Sequence, residues 1–167
     1  MGVEYTQLAA DLRDRGCTVL EQEPMAAHTS FKIGGPVDLL VTTPDETAAA
    51  SVLTLCRERS VPVMLAGNGT NLLVSDRGIE GVVRRLSAGD EPRLQPDGRT
   101  VVCSAGYSVK RLCLFARDHG LSGLEFAYGI PGTVGGGVFM NAGAYGGQMA
   151  DVLLSVRLMD RRGQLRE

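Results

Sequence analysis

Ten of the 22 glycines fall within residues 120–147, and Glu125 is the only charged side chain from 121 to 150. Glycine loses more conformational freedom on folding than any other residue, so a glycine-dense stretch is ordinarily a flexible linker. Here the glycines are interleaved with Phe126, Ile130, Val134, Val138, Phe139 and Met140, which a linker does not carry. The stretch is therefore expected to be packed. Its backbone must come close either to another backbone or to a ligand.

The remaining composition frames that segment. A chain of 167 residues with 44% apolar side chains and a net charge of −2 is too apolar and too weakly charged to stay disordered. It is long enough for one compact domain, or for two small lobes. No run approaches the roughly 20 apolar residues of a membrane helix. The first 16 residues carry Glu4, Asp11, Arg13, Asp14 and Arg15, unlike a secretory leader. A cytoplasmic protein with no membrane association is expected. Of 17 basic residues only Lys32 and Lys110 are lysine. The arginines are scattered among acids, so no nucleic-acid-binding face is implied. Cys17, Cys56, Cys103 and Cys113 form no close pair, and His28 and His119 stand alone. No metal site is expected, and the cysteines are taken as buried thiols, the histidines as surface or helix-end residues.

Periodicity predicts a helix over 5–15, a strand over 37–42 and a helix opened by Pro44, Asp45 and Glu46, whose acids suit the positive end of the helix dipole. A strand over 61–66 runs into a glycine loop. Strands follow at 72–74, 81–86 and 100–104, with a hairpin connection over 92–99. Ser108 caps a helix that Gly120 ends. The last strand is predicted over 152–159. This order gives an α+β arrangement in two lobes, divided near residues 76–81.

Two loops could carry chemistry. Gly67, Asn68, Gly69, Thr70 and Asn71 follow a strand but lack the lysine of a phosphate-binding P-loop. Successive amides in such a turn can form a concave nest for phosphate oxygens, although a plain tight turn has the same spacing. The second is the run from Gly129 to Gly137, continuing through Asn141, Ala142, Gly143 and Ala144. An anion placed there would have to be met by backbone amides and a helix start at Thr133. On that basis the affinity for such a ligand should depend weakly on salt. Backbone-on-backbone packing would also explain these glycines. Both loops together favour a dinucleotide.

Five motifs run in a recognisable order: Thr29-Ser30-Phe31-Lys32-Ile33-Gly34-Gly35; residues 67–76; Gly123-Leu124-Glu125-Phe126; Gly129-Ile130-Pro131-Gly132-Thr133-Val134-Gly135-Gly136; and Asn141-Ala142-Gly143-Ala144-Tyr145-Gly146. Over residues 28–160 the chain resembles the N-terminal part of the UDP-N-acetylenolpyruvoylglucosamine reductase family, which has the vanillyl-alcohol-oxidase/p-cresol-methylhydroxylase type of flavin fold. The resemblance implies a two-lobed FAD-binding domain with residues 1–78 as the first lobe and 79–167 as an incomplete second lobe. FAD would lie between the lobes. Gly67, Asn68, Gly69, Thr70, Asn71 and Leu72 would hold its pyrophosphate. Gly129, Ile130, Pro131, Gly132, Thr133, Gly135 and Gly136, with Asn141, Ala142, Gly143 and Ala144, would line the rest of the cleft.

In that family the flavin accepts hydride from NADPH and passes it to the enolpyruvyl double bond, and a serine supplies the proton that completes UDP-N-acetylmuramate. This belongs to peptidoglycan precursor synthesis. The family's tyrosine-arginine-x-serine segment, its proton-donating serine segment and its C-terminal glutamate have no match here. No catalytic residue is therefore assigned, the C-terminal substrate domain is missing, and the chain is expected to be a fragment that is inactive alone. Two other functions fit the same residues: an oxygen-using flavin oxidase of the superfamily, and an FAD-binding module without turnover.

Overall fold

The computed structural model describes residues 5–167. The four residues before them, counted above in the first lobe, lie outside the described residues. Two compact units emerge, one reaching to Leu86 and taking in Ser155–Glu167, the other formed by Ser87–Leu154.

The first unit is built on a four-stranded sheet. In chain order come α1 (Tyr5–Arg13), β1 (Thr18–Pro24), a single 3-10 turn (Met25–His28), β2 (Pro36–Thr42), α2 (Glu46–Glu58), β3 (Val63–Ala66) and β4 (Ile79–Arg85). The spatial order is β1-β2-β4-β3. β2, β3 and β4 are parallel, and β1 closes one edge antiparallel. α2 forms where expected because Asp45 caps it, its carboxylate accepting from the Ala48 amide at 2.8 Å.

The central strands β2 and β4 are apolar on both faces, as a strand covered on both sides must be. Leu39, Val41 and Val82 pack with Leu8, Leu12, Val52 and Cys56 of the two helices. Leu40 and Val83 pack on the other side with Met25, Ala66 and Val74. Because β4 hydrogen-bonds to both β2 and β3, the division between units falls after Leu86 and not after residue 78, where the sequence placed it.

One strand is not anticipated from sequence, and two expectations are corrected here. β1 escapes hydrophobic patterning because Val19 is its only buried residue. Its charged Glu21 and Glu23 suit an edge strand, where they discourage pairing with other chains. Residues 72–74 form no strand; Val74 is buried in the core as part of the loop that returns from β3 to β4. In 152–159 only Leu158–Met159 is a strand, β9, paired with β10 (Leu165–Arg166) in a short hairpin. That hairpin belongs to the first unit, and Arg157 forms an ion pair there with Glu46 of α2.

The second unit begins with the short hairpin of β5 (Arg93–Leu94) and β6 (Val101–Val102). α3 (Val109–Asp118) follows, capped by Ser108, and then comes α4 (Val134–Phe139). A last two-residue pairing joins β7 (Gly143–Ala144) to β8 (Gly147–Gln148). Its core gathers Val109 and Cys113 of α3 with Ala127 and Met149, ringed by Phe126, Ile130, Val134 and Ala142. The apolar residues that punctuate the glycine-rich run are thus the packing of this unit.

Candidate functional site

The loop after β3 occupies the carboxyl end of a parallel strand, the customary position for ligands in such sheets. Gly69 adopts φ +64°, and a side chain there would strike the His28 carbonyl. Its own carbonyl accepts from the Ser30 amide at 3.1 Å. These contacts clamp the loop onto the segment after the 3-10 turn. Asn68 and Gly67, by contrast, have no hydrogen-bond partner among the described residues. Both line a cleft of about 340 Å³ whose other walls include His28, Ser30, Lys32 and Arg85.

The segment opposite the loop is fixed by its own polar contacts. Thr29 is buried, and its hydroxyl donates to the Ile33 carbonyl at 3.0 Å. The Lys32 amide donates to the Thr29 carbonyl at 3.3 Å, holding Lys32 at φ +58°. The left-handed region is sparsely populated by residues with a Cβ, and such strain persists only where the surroundings enforce it. Across the cleft, His28 links two elements: Nε2 lies 2.8 Å from Glu23 Oε1 and Nδ1 lies 3.2 Å from Arg85 Nη1. Unpartnered amides and two cations on one concavity suit an anion such as a phosphate group.

The second expected segment is arranged differently. Thr133 caps α4, its buried hydroxyl accepting from the Gly136 amide at 3.2 Å. The Val134 amide donates to the Tyr107 carbonyl at 2.8 Å, Gly135 to Ala105 at 2.7 Å and Gly137 to Thr133 at 2.9 Å. The start of α4 therefore serves carbonyls of its own unit and is not left open for an anion. Gly135 answers to packing, since a Cβ there would sit 2.8 Å from the Ala105 methyl group. Asn141 is also engaged, donating to Gln148 and accepting from the Ala150 amide, each at 2.9 Å. Open space remains around Gly129, where a Cβ would meet nothing within 4 Å.

The structure thus gathers Gly67 and Asn68 into one cleft, with Gly69 holding their loop in place, and places residues 129–144 in the other unit. His28, Lys32 and Arg85 were not assigned to a site from sequence. Lys32 lies in a quoted motif and could have been found there. Arg85 is one arginine among many and carries no distinguishing signal. The weak salt dependence expected from the uncharged run does not extend to the first loop, because Lys32 and Arg85 border it.

The thiols offer no reactive nucleophile. Burial pushes Cys56 and Cys103 up to about 11, and the Glu91 carboxylate adds to the rise at Cys103. Among the described residues no group of three His, Cys, Asp or Glu side chains could hold a metal ion. No helix among them is long and apolar enough to cross a membrane.

The α+β fold carries a glycine loop at the carboxyl end of a parallel strand, and comparison with known families supplies the class, a flavin-binding one. The family described as FAD binding domain matches residues 36–167, and the chain belongs to it. Its cofactor is FAD. More narrowly, the chain is 46% identical over 156 residues to the UDP-N-acetylenolpyruvoylglucosamine reductase of Bacillus velezensis, covering 93% of this chain and 51% of that protein. The solved structure of the UDP-N-acetylenolpyruvylglucosamine reductase from Thermus caldophilus aligns with a TM-score of 0.65 and 30% identity, covering 90% of this chain and 51% of that one. A berberine bridge enzyme variant, a reticuline dehydrogenase, aligns with a TM-score of 0.68 at 14% identity, over 95% of this chain and 36% of that one. At that identity the match speaks for the fold alone, which is the α+β flavin fold of the vanillyl-alcohol-oxidase type. The chain spans about half the length of the reductases it matches.

Proposed function

We propose that this chain is the FAD-binding portion of the NADPH-dependent reductase that converts UDP-N-acetylglucosamine enolpyruvate to UDP-N-acetylmuramate in the cytoplasm, for peptidoglycan synthesis. The observation that carries the proposal is the loop over 67–72. It stands at the carboxyl end of β3, presents the open amides of Gly67 and Asn68, and has Lys32 and Arg85 beside it. FAD fits this cleft by charge, because its pyrophosphate is dianionic and the donors facing it are amides and cations. A role for residues 129–136 and 141–144 rests on the family resemblance: Gly129 has open space around it, while the side chains of Thr133 and Asn141 already have partners in their own unit. When bound, FAD supplies the carrier that accepts hydride and passes it on. The residues of this chain bind and orient it, and substrate-handling groups belong to the other half of the longer reductase.

The test uses a longer protein that contains this sequence together with such a second half. It should purify with FAD and oxidise NADPH only when the enolpyruvyl sugar is present. NADPH oxidation indifferent to the sugar, with oxygen as acceptor, would count against the reductase assignment while leaving the flavin fold intact.

A further inference from the structure

His28 touches both an acid and a base at the cleft, and the pair of contacts favours one tautomer of its ring. Arginine carries only donors, so Nδ1, 3.2 Å from Arg85 Nη1, must be the accepting nitrogen. The ring proton then sits on Nε2 and is donated to Glu23 Oε1 at 2.8 Å. In this arrangement Glu23 accepts from the far side of the ring and so favours the tautomer whose Nδ1 faces Arg85 as an acceptor. Three elements meet in this chain: Glu23 is the penultimate residue of β1, His28 closes the 3-10 turn, and Arg85 ends β4. His28 and Glu23 are mostly buried, with side chains 16% and 26% exposed. Arg85 reaches the cleft wall beside Gly67 and Asn68.

We propose that His28, with its tautomer set by Glu23, is a positioning residue that holds the Arg85 guanidinium in the cleft to receive a phosphate oxygen of the dinucleotide. The proposal rests on the FAD assignment above and adds a residue to which no role is given there. A guanidinium free to swing loses side-chain entropy each time it closes on an anion. One already anchored through a hydrogen bond does not, and its charge is directed where the open amides point.

The test separates the two nitrogens of His28. His28→Asn places an oxygen acceptor near the position of Nδ1, whereas His28→Gln reaches toward Glu23 and leaves Arg85 without its acceptor. FAD dissociation constants are measured by quenching of flavin fluorescence at low and high salt for the wild type, both His28 variants and Arg85→Gln. Since a hydrogen bond to a charged group contributes about tenfold or more in an equilibrium, Arg85→Gln and His28→Gln should each weaken FAD about tenfold. Both should also flatten its salt dependence. His28→Asn should stay within about threefold of the wild type and keep the wild-type salt slope.

Wild-type affinity and slope in His28→Gln would overturn the proposal, as would a loss in His28→Asn equal to that in His28→Gln. Absence of FAD binding by the wild type would instead remove the cofactor assignment, and the proposal with it. Should a variant fail to fold, the ring nitrogen resonances of His28 in the wild type decide: a protonated Nδ1 is incompatible with the proposed role.

Discussion

Valine at position 69 is expected to abolish FAD binding, weakening it by at least about 100-fold, or about 2.7 kcal/mol. Two effects combine at this residue. The backbone stands at φ +64°, where a residue with a Cβ costs about 1–2 kcal/mol and a β-branched one is a genuine outlier. The new Cβ would also strike the His28 carbonyl, which is backbone and cannot rotate away. The loop must move, and with it the amides of Gly67 and Asn68. It would also break the hydrogen bond from the Ser30 amide. Gly98→Ala is the matched control, because Gly98 has φ +71° and nothing within 4 Å of an added Cβ. That variant should lose some stability and no FAD affinity. A Gly69→Val protein that retains stoichiometric FAD would contradict the assignment of this loop.

The second large effect concerns turnover. The 167-residue polypeptide, supplied with FAD, NADPH and the enolpyruvyl sugar, is expected to form no measurable UDP-N-acetylmuramate. Protonation of the carbon left after hydride addition needs a positioned acid, and such help is typically worth about 100- to 10,000-fold. The segments that carry the family's serine and glutamate have no counterpart among these residues. The thiols of Cys56 and Cys103 are pushed up to about 11 by burial, so neither is assigned that proton-donating role. Product is followed by chromatography of the nucleotide sugars. Robust NADPH-dependent formation would mean that an acid within this chain had been overlooked.

Sequence and structure agree most closely where a local signal decides the outcome. Asp45 and Ser108 announce α2 and α3 because a capping side chain acts within three residues of itself. The glycine loop after β3 is legible for the same reason, since strand, glycine and asparagine are adjacent in the chain. β1 is not, because an edge strand with one buried residue leaves no alternation to read. The cleft is only half legible: Lys32 and Arg85 come from segments distant in sequence and meet the loop only through the sheet order β1-β2-β4-β3. Least legible is the start of α4. Thr133 followed by glycines looks like an anion-binding helix start, and only the fold shows that the carbonyls of Tyr107 and Ala105 take those amides first. The ordered motifs carry family membership, which periodicity alone does not.

The central claim is that the amides of Gly67 and Asn68 receive the pyrophosphate of FAD. Titration of the ¹⁵N-labelled chain with FAD, following the backbone amide resonances, tests it most directly. Saturable shifts at Gly67, Asn68 and Gly69, larger than those at Val134 and Gly135, are the predicted result. FAD binding that leaves Gly67 and Asn68 unmoved, or that shifts the first turn of α4 instead, would contradict it.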